Sequence, residues 1–278
     1  RSCIQLAAES PSAATQPPPL QHGDVVIVTG GARGVTAETA VALARACQPT
    51  MVLLGRSAPP TPEPAWLAPL TQESEIKRAL LTQLNGQATP KEVGERYQSL
   101  SANREILATL QRIESAGARV VYRQVDVRNS DAVQSVISAI RKELGPIRGI
   151  VHGAGVLADR LIVDKTAEQF ETVLGTKVAS LMNLLAAVKS DDLRLLALFS
   201  SSTARFGRTG QIDYAVANEV LNKLAQREAI ARPTCRVVSL NWGPWDGGMV
   251  NASLKKVFSD EGVGVIPLQA GGEFFVRE

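Results

Sequence analysis

The sequence predicts a doubly wound α/β fold, in which helices cover both faces of a parallel β-sheet. Short, nearly continuous apolar runs rich in β-branched residues alternate with longer amphipathic segments from residue 24 onward. Such runs are typical of strands that are buried on both faces and joined by right-handed helical crossovers. A glycine-rich turn follows the first run, as expected at the start of such a sheet. No repeat at a fixed period is present, so neither a solenoid nor a propeller is predicted.

The predicted strands and helices alternate along the chain. The strands are Val25–Val28, Met51–Leu54, Val120–Tyr122, Ile150–Val151, Leu195–Phe199 and Val237–Leu240. Helices are predicted through Leu43, through Ile140 and through Lys177, and another begins at Tyr214. This order predicts a sheet of the Rossmann type.

Residues 57–102 interrupt the alternation and are predicted to be an insertion. They begin with the proline-dense stretch 59–69. Helical spacing follows at Ile76, Leu80, Leu81 and Leu84, and again at Val93, Tyr97 and Leu100. A segment of this length between two elements is typical of an added unit. We expect a small helical appendage whose apolar stripe packs against the parent domain; the alternative is a docking surface.

The first 21 residues differ in composition from the rest. The prolines at 11, 17, 18 and 19 are incompatible with a helix interior or a central strand. Residues 1–21 are therefore predicted to be a stiff linker or the remnant of a preceding structural subdomain, and the catalytic domain is expected to span 22–278. Because the chain starts at Arg1 and stops in a helix-like segment, we interpret it as a piece of a longer protein.

Composition argues against several classes of function. A net charge of +3 over 278 residues, with no basic stripe, argues against nucleic-acid binding. The three cysteines are isolated and the histidines are not clustered, so neither a disulfide framework nor a metal site is predicted. No apolar run is long enough to span a bilayer and no signal peptide is recognisable, so we expect no membrane insertion and a soluble protein of the reducing cytoplasm.

The glycine-rich turn, residues 28–36, is predicted to bind the phosphates of a dinucleotide. Glycines let the backbone approach a pyrophosphate, and the helix N-terminus that follows favours negative charge. The cofactor-binding residues expected here are Gly30, Gly31, Arg33, Gly34 and Val35. Thr36 stands where the usual pattern has a third glycine, which we expect to restrict the packing of helix on strand or to re-aim the loop.

The end of the second strand indicates which dinucleotide is bound. Arg56 and Ser57 follow this strand, where NAD-binding folds normally place a carboxylate for the ribose 2′-hydroxyl. A guanidinium attracts a 2′-phosphate that a carboxylate would repel, Ser57 can add a hydrogen bond, and Arg33 in the first loop can assist. NADPH is therefore predicted in preference to NADH.

Two further strand ends are predicted to contact the cofactor. Asp126 and Val127 close the third strand, where a carboxylate can bind the adenine amine. The segment after the fourth strand lies beside the nicotinamide ribose, and its expected contacts are Gly153, Ala154 and Gly155. His152 has no second candidate ligand nearby, so we interpret it as a structural residue without a catalytic role.

Four polar residues are predicted to form an active site. Lys177 lies on the apolar stripe of its helix, where a lysine is rare unless it is paired or functional. Ser201 follows a strand, and Tyr214 and Asn218 lie one turn apart on one helix face. Lys223 points the opposite way from Tyr214 on that helix, so Lys177 is the lysine expected to act with the tyrosine.

These residues resemble those of a known family. In short-chain dehydrogenases the lysine usually follows the tyrosine by four positions, whereas here Asn218 occupies that place and the lysine comes from the preceding helix. The chain is similar, over about residues 22–278, to the ketoreductase domains of type I polyketide synthases in the motifs Phe199-Ser-Ser201, Tyr214-Ala-Val-Ala-Asn218, Lys177 and Asn241-Trp-Gly-Pro-Trp245. Segments 97–106 and 240–248 most resemble polyunsaturated fatty acid synthases and related iterative lipid synthases.

The resemblance implies an activity and partners. A 3-ketoacyl chain, carried as a thioester on the phosphopantetheine arm of an acyl carrier protein, would be reduced with NADPH to the 3-hydroxyacyl form beside neighbouring domains of the same polypeptide. Tyr214 would donate the proton and Lys177 would lower the pKa of that tyrosine. Ser201 would hold the carbonyl oxygen, and Asn218 would position the lysine or a relay water. Gly243 and Pro244 are implied to contact the cofactor.

The substrate side of the site is likewise implied by the resemblance. Leu157-Ala-Asp159 partly matches the Leu-Asp-Asp signature of ketoreductases that form the (3R)-hydroxyl, and Phe206 stands where the opposite class carries tryptophan. Both features favour the (3R) product. Two glycines precede Met249, so residues 246–260 are predicted to form a lid over the substrate; the alternative is an ordinary surface helix.

Two other functions are weighed against this one. The chain could be a catalytically silent dinucleotide-binding scaffold within a multidomain synthase, which the complete set of four polar residues argues against. It could also be a free-standing reductase of small ketones or 3-oxoacyl thioesters, which the proline-rich leader and the ends of the chain make less favoured.

Overall fold

The computed structural model describes residues 18–84, 87–250 and 252–278. Its strands are β1 (Val25–Thr29), β2 (Thr50–Gly55), β3 (Arg119–Gln124), β4 (Ile147–His152), β5 (Leu195–Ser201) and β6 (Arg236–Trp242). These form a six-stranded parallel sheet in the order β3-β2-β1-β4-β5-β6. Two halves therefore diverge from the centre of the sheet, between β1 and β4, and the predicted Rossmann-type fold is confirmed.

Helices connect the strands. They are α1 (Gly34–Cys47), α2 (Glu73–Gln83), α3 (Pro90–Ser115), α4 (Ser130–Leu144), α5 (Ala167–Leu174), α6 (Ser180–Ala187), α7 (Thr203–Phe206), α8 (Ile212–Ala231), α9 (Ala252–Asp260) and α10 (Leu268–Arg277). A π-helical turn, Gly175–Ala179, joins α5 to α6. Among the described residues, no helix combines the length and the apolar character that crossing a bilayer would require.

The sheet has an apolar layer on each face. Successive side chains of a strand point to opposite faces. In β1, Val25 and Ile27 join a cluster with α4, α6 and α8, whereas Val26 and Val28 join a cluster with α1, α3 and α10. The four central strands β2, β1, β4 and β5 are buried on both faces, which is why their sequences read as continuous apolar runs, whereas the outer strands β3 and β6 are partly buried.

The domain begins slightly before the predicted start at His22. Leu20 is 2% exposed and belongs to the core on the α1 face of the sheet. A Cβ built on Gly149 of β4 would lie 3.3 Å from Leu20 Cδ2, so this leucine packs directly on the sheet. Residues 1–17 of the predicted linker lie outside the described residues.

The predicted insertion, residues 57–102, has no structural boundary at its end. α3 runs through position 102, and its second half covers the sheet with Ile106 and Ile113 in the core. Its start is fixed by a capping box between Thr89 and Glu92, with Pro90 in the first turn. The insertion and the crossover helix to β3 are therefore one element.

The apolar stripe of the insertion packs within the insertion, which differs from the packing against the parent domain that the sequence predicts. Its buried residues form a small core of their own: Leu67, Ile76, Leu80 and Val93, with Leu70, Ala88, Tyr97 and Leu100 partly buried around them. Arg104 of α3 binds Glu63 and the carbonyls of Leu67 and Leu70, which ties the preceding loop to α3.

Two helical glycines, one tightly packed and one in open space, provide a matched test of the packing between α10 and Trp245. A Cβ on Gly271 of α10 would overlap the ring of Trp245, whereas Gly94 of α3 has open space around it. We expect Gly271→Ala to lower the free energy of unfolding by about 1–3 kcal/mol, because a rigid ring must move. We expect Gly94→Ala to raise it by about 0.5–1 kcal/mol, because alanine is the better helix former. Urea unfolding measures the free energy of unfolding of both variants. Equal values would contradict the close contact between Gly271 and Trp245.

Candidate active site

A cavity of about 930 Å³ opens at the carboxyl ends of β1, β4, β5 and β6. Ligands of open α/β sheets bind at this edge. The predicted site residues that line it are Gly30, Arg33, Gly34, Val35, Gly153, Ala154, Gly155, Asp159, Lys177, Ser201, Phe206, Tyr214, Gly243, Pro244 and Met249. Those that do not line it are Gly31, Arg56, Ser57, Asp126, Val127 and Asn218.

The glycine turn keeps the backbone open at the N-terminus of α1. Gly30 has a φ of 69° and Gly34 a φ of 59°, in the left-handed region that favours glycine. A Cβ on Gly30 would lie 3.0 Å from the Gly153 carbonyl oxygen. The first turn of α1 contains no acidic residue, so the positive end of this helix is available to an anion.

Thr36 does not block close packing, because Gly153 makes room for it. The Thr36 side chain is 4% exposed, and a Cβ on Gly153 would overlap it. The small residue that the usual pattern places in the turn is therefore found on the facing loop after β4. Thr36 is thus accommodated against Gly153, and the expected effect of the missing third glycine on packing or on the aim of the loop stays a prediction.

The two predicted phosphate-binding arginines follow adjacent strands. Arg33 lines the cavity, and its Nε donates to Glu105 Oε2 at 2.9 Å. Arg56 is exposed, with its carbonyl accepting from Gln124 Nε2 at 3.1 Å. The next carbonyl, of Ser57, accepts from the Tyr122 hydroxyl at 2.9 Å. The Arg56 side chain is exposed at the surface, and its charge is close enough to Asp126 to help lower the pKa of that carboxyl.

The end of β3 is already engaged by protein groups. Arg128 Nη2 lies 2.6 Å from Asp126 Oδ2, and this hydrogen bond lowers the pKa of Asp126. Val127 is buried in the core, and its carbonyl accepts from Asn183 Nδ2 at 3.1 Å. An adenine amine at this position would share the carboxylate with Arg128.

Lys177 lies in the π-helical turn between α5 and α6 and is 3% exposed. Its Nζ donates to the Phe199 carbonyl at 2.9 Å and lies 5.3 Å from the centre of the Tyr214 ring. Burial lowers the pKa of Lys177 from 10.5 to about 8. π-helical turns occur often at functional sites, and here the turn holds the lysine inside the cavity.

His152 holds the backbone of this turn. Its Nε2 lies 2.9 Å from the Lys177 carbonyl, and its Nδ1 lies 2.8 Å from Thr29 Oγ1 at the end of β1. Burial, with the nearby Lys177 charge, lowers the pKa of His152 to about 4, so the ring is neutral at neutral pH. Its contacts are with a neighbouring strand and the Lys177 backbone, in keeping with the structural role predicted for it.

Tyr214, Ser201 and Asn218 meet on the other side of Lys177. Tyr214 is half-buried on α8, and burial raises its pKa. The Asp159 charge also raises this pKa, whereas hydrogen bonds to Asn218 and Ser201 lower it. Asn218 is buried; its Nδ2 donates to the Tyr214 carbonyl at 2.8 Å, and its Oδ1 has no partner among the described residues. The four predicted residues are therefore brought together.

Lys223 lies away from this group, as predicted. Its side chain is 61% exposed, and its Nζ is 3.4 Å from Glu219 Oε1 on the outer face of α8. Lys177 is thus the lysine next to the tyrosine.

The predicted substrate side forms the mouth of the cavity. Asp159 accepts from Gln211 Nε2 at 2.9 Å, while Phe206 is 67% exposed and Met249 is 47% exposed. In the predicted lid, Phe258 of α9 lines the cavity and is covered by the Arg208 guanidinium, 4.6 Å from its ring centre. The described residues of the predicted lid that border the cavity are Gly247, Gly248, Met249, Val250, Leu254 and Phe258, and movement of the lid stays a prediction.

The part that α3 plays in the cavity was not predicted from the sequence. Glu105, Thr109 and Arg112 line it, and Arg112 binds Glu38 of α1 at 2.6 Å. That hydrogen bond lowers the pKa of Glu38. The spacing of these three residues is helical, which would have placed them on one face had α3 been recognised as a single helix.

Chemically, the arrangement pairs a tyrosine hydroxyl with a buried ammonium, beside a serine hydroxyl and a glycine turn at a helix N-terminus. Such a set can protonate a carbonyl oxygen next to a bound anionic cofactor. Within the described ranges, no group of three or more histidine, cysteine, aspartate or glutamate residues could hold a metal ion.

Known proteins share this domain. Residues 24–247 match the family model of the KR domain. One polyunsaturated fatty acid synthase subunit, from Thraustochytrium sp. (strain ATCC 26185 / S-3), is 37% identical over 93% of this chain and 10% of that protein. Polyketide synthase PksN of Bacillus subtilis (strain 168) is 31% identical over 83% of this chain and 4% of that protein. PlmKR1, a ketoreductase from the first module of phoslactomycin biosynthesis in Streptomyces sp. HK803, superposes with a TM-score of 0.71 at 25% identity, covering 97% of this chain and 52% of that one.

This chain spans a small part of those two synthases and about half of the solved ketoreductase chain. The predicted resemblance is confirmed, because the family model covers most of the chain. Domains of this kind are oxidoreductases that bind a nicotinamide dinucleotide. The chain belongs to the ketoreductase (KR) domain family of polyketide and polyunsaturated fatty acid synthases.

Proposed function

We propose that this domain uses NADPH to reduce a 3-ketoacyl thioester on an acyl carrier protein to the (3R)-3-hydroxyacyl thioester, within an iterative polyketide or polyunsaturated fatty acid synthase. The observation that carries the proposal is the Lys177 ammonium, buried 5.3 Å from the Tyr214 ring centre in a cavity that the glycine turn also lines. A reductase needs its proton donor and its dinucleotide on the same carbonyl, and these residues meet that need.

The residues present fit a nicotinamide dinucleotide. The left-handed Gly30 and Gly34 let the turn line the cavity, with Gly30 tight against the Gly153 backbone, and the α1 N-terminus lines the same cavity. These groups would hold the pyrophosphate, Arg33 and Arg56 the 2′-phosphate, and the loop 153–155 the nicotinamide half. When bound, the dinucleotide supplies the hydride.

Tyr214 donates its phenolic proton to the ketone oxygen. Burial raises the pKa of Tyr214, which keeps the hydroxyl protonated before reaction. The Lys177 ammonium stabilises the phenolate that forms. Ser201 Oγ accepts from the Thr203 N–H at 3.1 Å and hydrogen-bonds to Tyr214, which places the serine proton beside the phenol, where it can bind the same ketone oxygen.

Asn218 supports the return of the proton. Its buried Oδ1 is an acceptor without a partner among the described residues, and the same side chain hydrogen-bonds to Tyr214. A buried acceptor of this kind is normally satisfied, so it is suited to bind the Lys177 ammonium or a water that reprotonates Tyr214.

The acyl substrate and the carrier protein are proposed on two grounds: what the named relatives synthesise, and which side chains are exposed at the mouth of the cavity. Both named relatives are synthases of acyl or polyketide chains. The mouth exposes apolar side chains that suit an acyl chain, those of Leu157, Phe206 and Met249. Asp159, and the absence of tryptophan at position 206, support the (3R) product.

The test is NADPH oxidation by the purified domain with a 3-ketoacyl pantetheine thioester, beside NADH and with chiral analysis of the alcohol. We expect turnover with NADPH, a kcat/KM at least about tenfold below it with NADH, and mainly the (3R) alcohol. Binding of NADPH without turnover would favour the scaffold interpretation. A preference for small ketones would favour a free-standing reductase, and mainly (3S) product would overturn the stereochemical part.

Arg56→Ala tests the cofactor preference. We expect the variant to bind NADPH about tenfold more weakly and NADH as before, because the lost guanidinium would contact the 2′-phosphate alone. Arg119→Ala is the control, since this exposed arginine lies at the amino end of β3, whereas Arg56 follows the carboxyl end of the neighbouring strand β2. Calorimetric titration with both dinucleotides measures the effect, and an equal loss for NADPH and NADH would contradict it.

Gly153→Ala tests the compensation between Thr36 and Gly153. The added methyl group would overlap the Thr36 side chain and push the glycine turn from its place, so dinucleotide affinity should fall by about tenfold or more. Replacing Thr36 by glycine in the same protein should restore most of that affinity. If the double variant binds no better than Gly153→Ala, the two residues do not compensate each other.

A further inference from the structure

Lys165 and Asp213 form a buried ion pair beside the active site that the proposed chemistry does not use. Lys165 Nζ lies 2.7 Å from Asp213 Oδ2, and their side chains are 4% and 0% exposed. Asp213 Oδ1 accepts the Tyr214 N–H at 2.9 Å, in the first turn of α8. Lys165 Nζ also donates to the Ala158 carbonyl at 2.7 Å.

The pair joins the two sides of the cavity mouth. Ala158 lies between two residues that line the cavity, Leu157 and Asp159. Two more hydrogen bonds join the same segments: Gln211 Nε2 donates to Asp159 Oδ2 at 2.9 Å, and the Arg160 N–H donates to the Gly210 carbonyl at 3.0 Å. Segment 157–165 is thus tied to segment 210–214, which carries Tyr214.

Apolar packing does little to hold segment 157–165. Leu161, Ile162 and Val163 are 52%, 71% and 84% exposed. Its position therefore depends on its polar contacts, and the one made by Lys165 is the most buried. Buried ion pairs seldom stabilise a fold more than apolar side chains would, so a pair at this place points to a role in positioning.

We propose that Lys165 and Asp213 are positioning residues that fix segment 157–165 against the first turn of α8 and so set how the ketoacyl substrate meets Tyr214. This inference rests on the proposed function. Without the ion pair, segment 157–165, which carries Leu157 and Asp159, is no longer held at a fixed distance from Tyr214. The substrate then binds more weakly and presents both faces of its ketone, while the dinucleotide, held by other loops, binds as before.

The test uses the double variant Lys165→Met/Asp213→Asn, which leaves no buried charge and keeps an amide oxygen for the Tyr214 N–H. With a 3-ketoacyl pantetheine thioester we expect KM to rise about fivefold or more and the minor alcohol enantiomer to increase at least about threefold, with NADPH affinity within about twofold. Hydrogen–deuterium exchange of segment 157–165 should accelerate. Gln211→Ala removes the neighbouring hydrogen bond to Asp159 without leaving a buried charge. This variant should shift KM and the enantiomer ratio in the same direction, but by less.

The matched control is Arg141→Met/Asp191→Asn. Asp191 is 3% exposed, binds Arg141 at 2.6 Å and accepts the Ile147 N–H at 3.1 Å, at the amino end of β4 and so away from the cavity. An unchanged KM, enantiomer ratio and exchange rate in the Lys165/Asp213 variant would overturn the proposal. Equal changes in the control would overturn it too, since they would reflect general stability. If the wild-type domain reduces no thioester, the proposed function fails, and exchange at 157–165 still decides whether the pair holds the segment.

Discussion

Tyr214→Phe is expected to lower kcat for thioester reduction by about 10²–10⁴-fold, the range that general acid catalysis contributes. Removal of the hydroxyl takes away the proton for the ketone oxygen, and no other acid replaces it at that place, because Ser201 keeps its proton and the Lys177 Nζ is bound to the Phe199 carbonyl. The phenyl ring keeps its packing under the ammonium, so the fold and the affinity for the dinucleotide should be unchanged.

The measurement is single-turnover reduction of the thioester, with dinucleotide affinity determined by fluorescence titration on the same preparation. Tyr97→Phe is the matched control, since Tyr97 lies in the small core of the insertion with Lys77 Nζ 5.2 Å from its ring centre. That variant should turn over like the wild type. Turnover of Tyr214→Phe within about tenfold of wild type would show that another group donates the proton.

The sheet could be predicted because its four central strands are buried on both faces. Each of the six predicted runs is a strand, since the apolar residues on both sides of β1, β2 and β5 have helices to pack against. α3 could not be recognised as one helix for the opposite reason. Its first half turns Val93 toward the insertion core, and its second half turns Ile106 toward the sheet, so its apolar face shifts midway and the periodicity breaks.

The proximity of the four polar residues could be predicted because the lysine and the tyrosine–asparagine pair are unusual in their local context, and their catalytic roles stay a proposal. A lysine on an apolar stripe and an asparagine one turn after a tyrosine are visible within a few residues of sequence. Compensations across the fold are not visible in this way. Gly153 makes room for Thr36, and Lys165 reaches Asp213, only because parallel strands bring distant loops to the same edge of the sheet.

Lys177→Met is expected to abolish most of the activity and yet to stabilise the apoprotein at pH 7.5 by about 1–3 kcal/mol. Burial lowers the pKa of Lys177 from 10.5 to about 8, and at about 1.4 kcal/mol per pKa unit this corresponds to a cost of roughly 3 kcal/mol for keeping the ammonium charged. Loss of its hydrogen bond to the Phe199 carbonyl offsets about 1 kcal/mol of the gain. Methionine has a similar length and needs no solvation.

The stability of the wild-type protein relative to Lys177→Met should increase with pH. Below pH 8 the lysine is charged in both states and the folded state bears the cost; between pH 8 and 10.5 the folded protein loses the proton first, so wild-type stability rises with pH relative to the variant. Guanidinium unfolding of both proteins at pH 7.5 and 9.5 should therefore show their difference narrowing by about 2 kcal/mol. A methionine variant that is less stable at pH 7.5, or a difference that does not change, would mean that Lys177 is well solvated in its charged form. The predicted loss of stability at pH 7.5 is thus the free-energy cost of keeping a cation next to Tyr214 before any substrate binds.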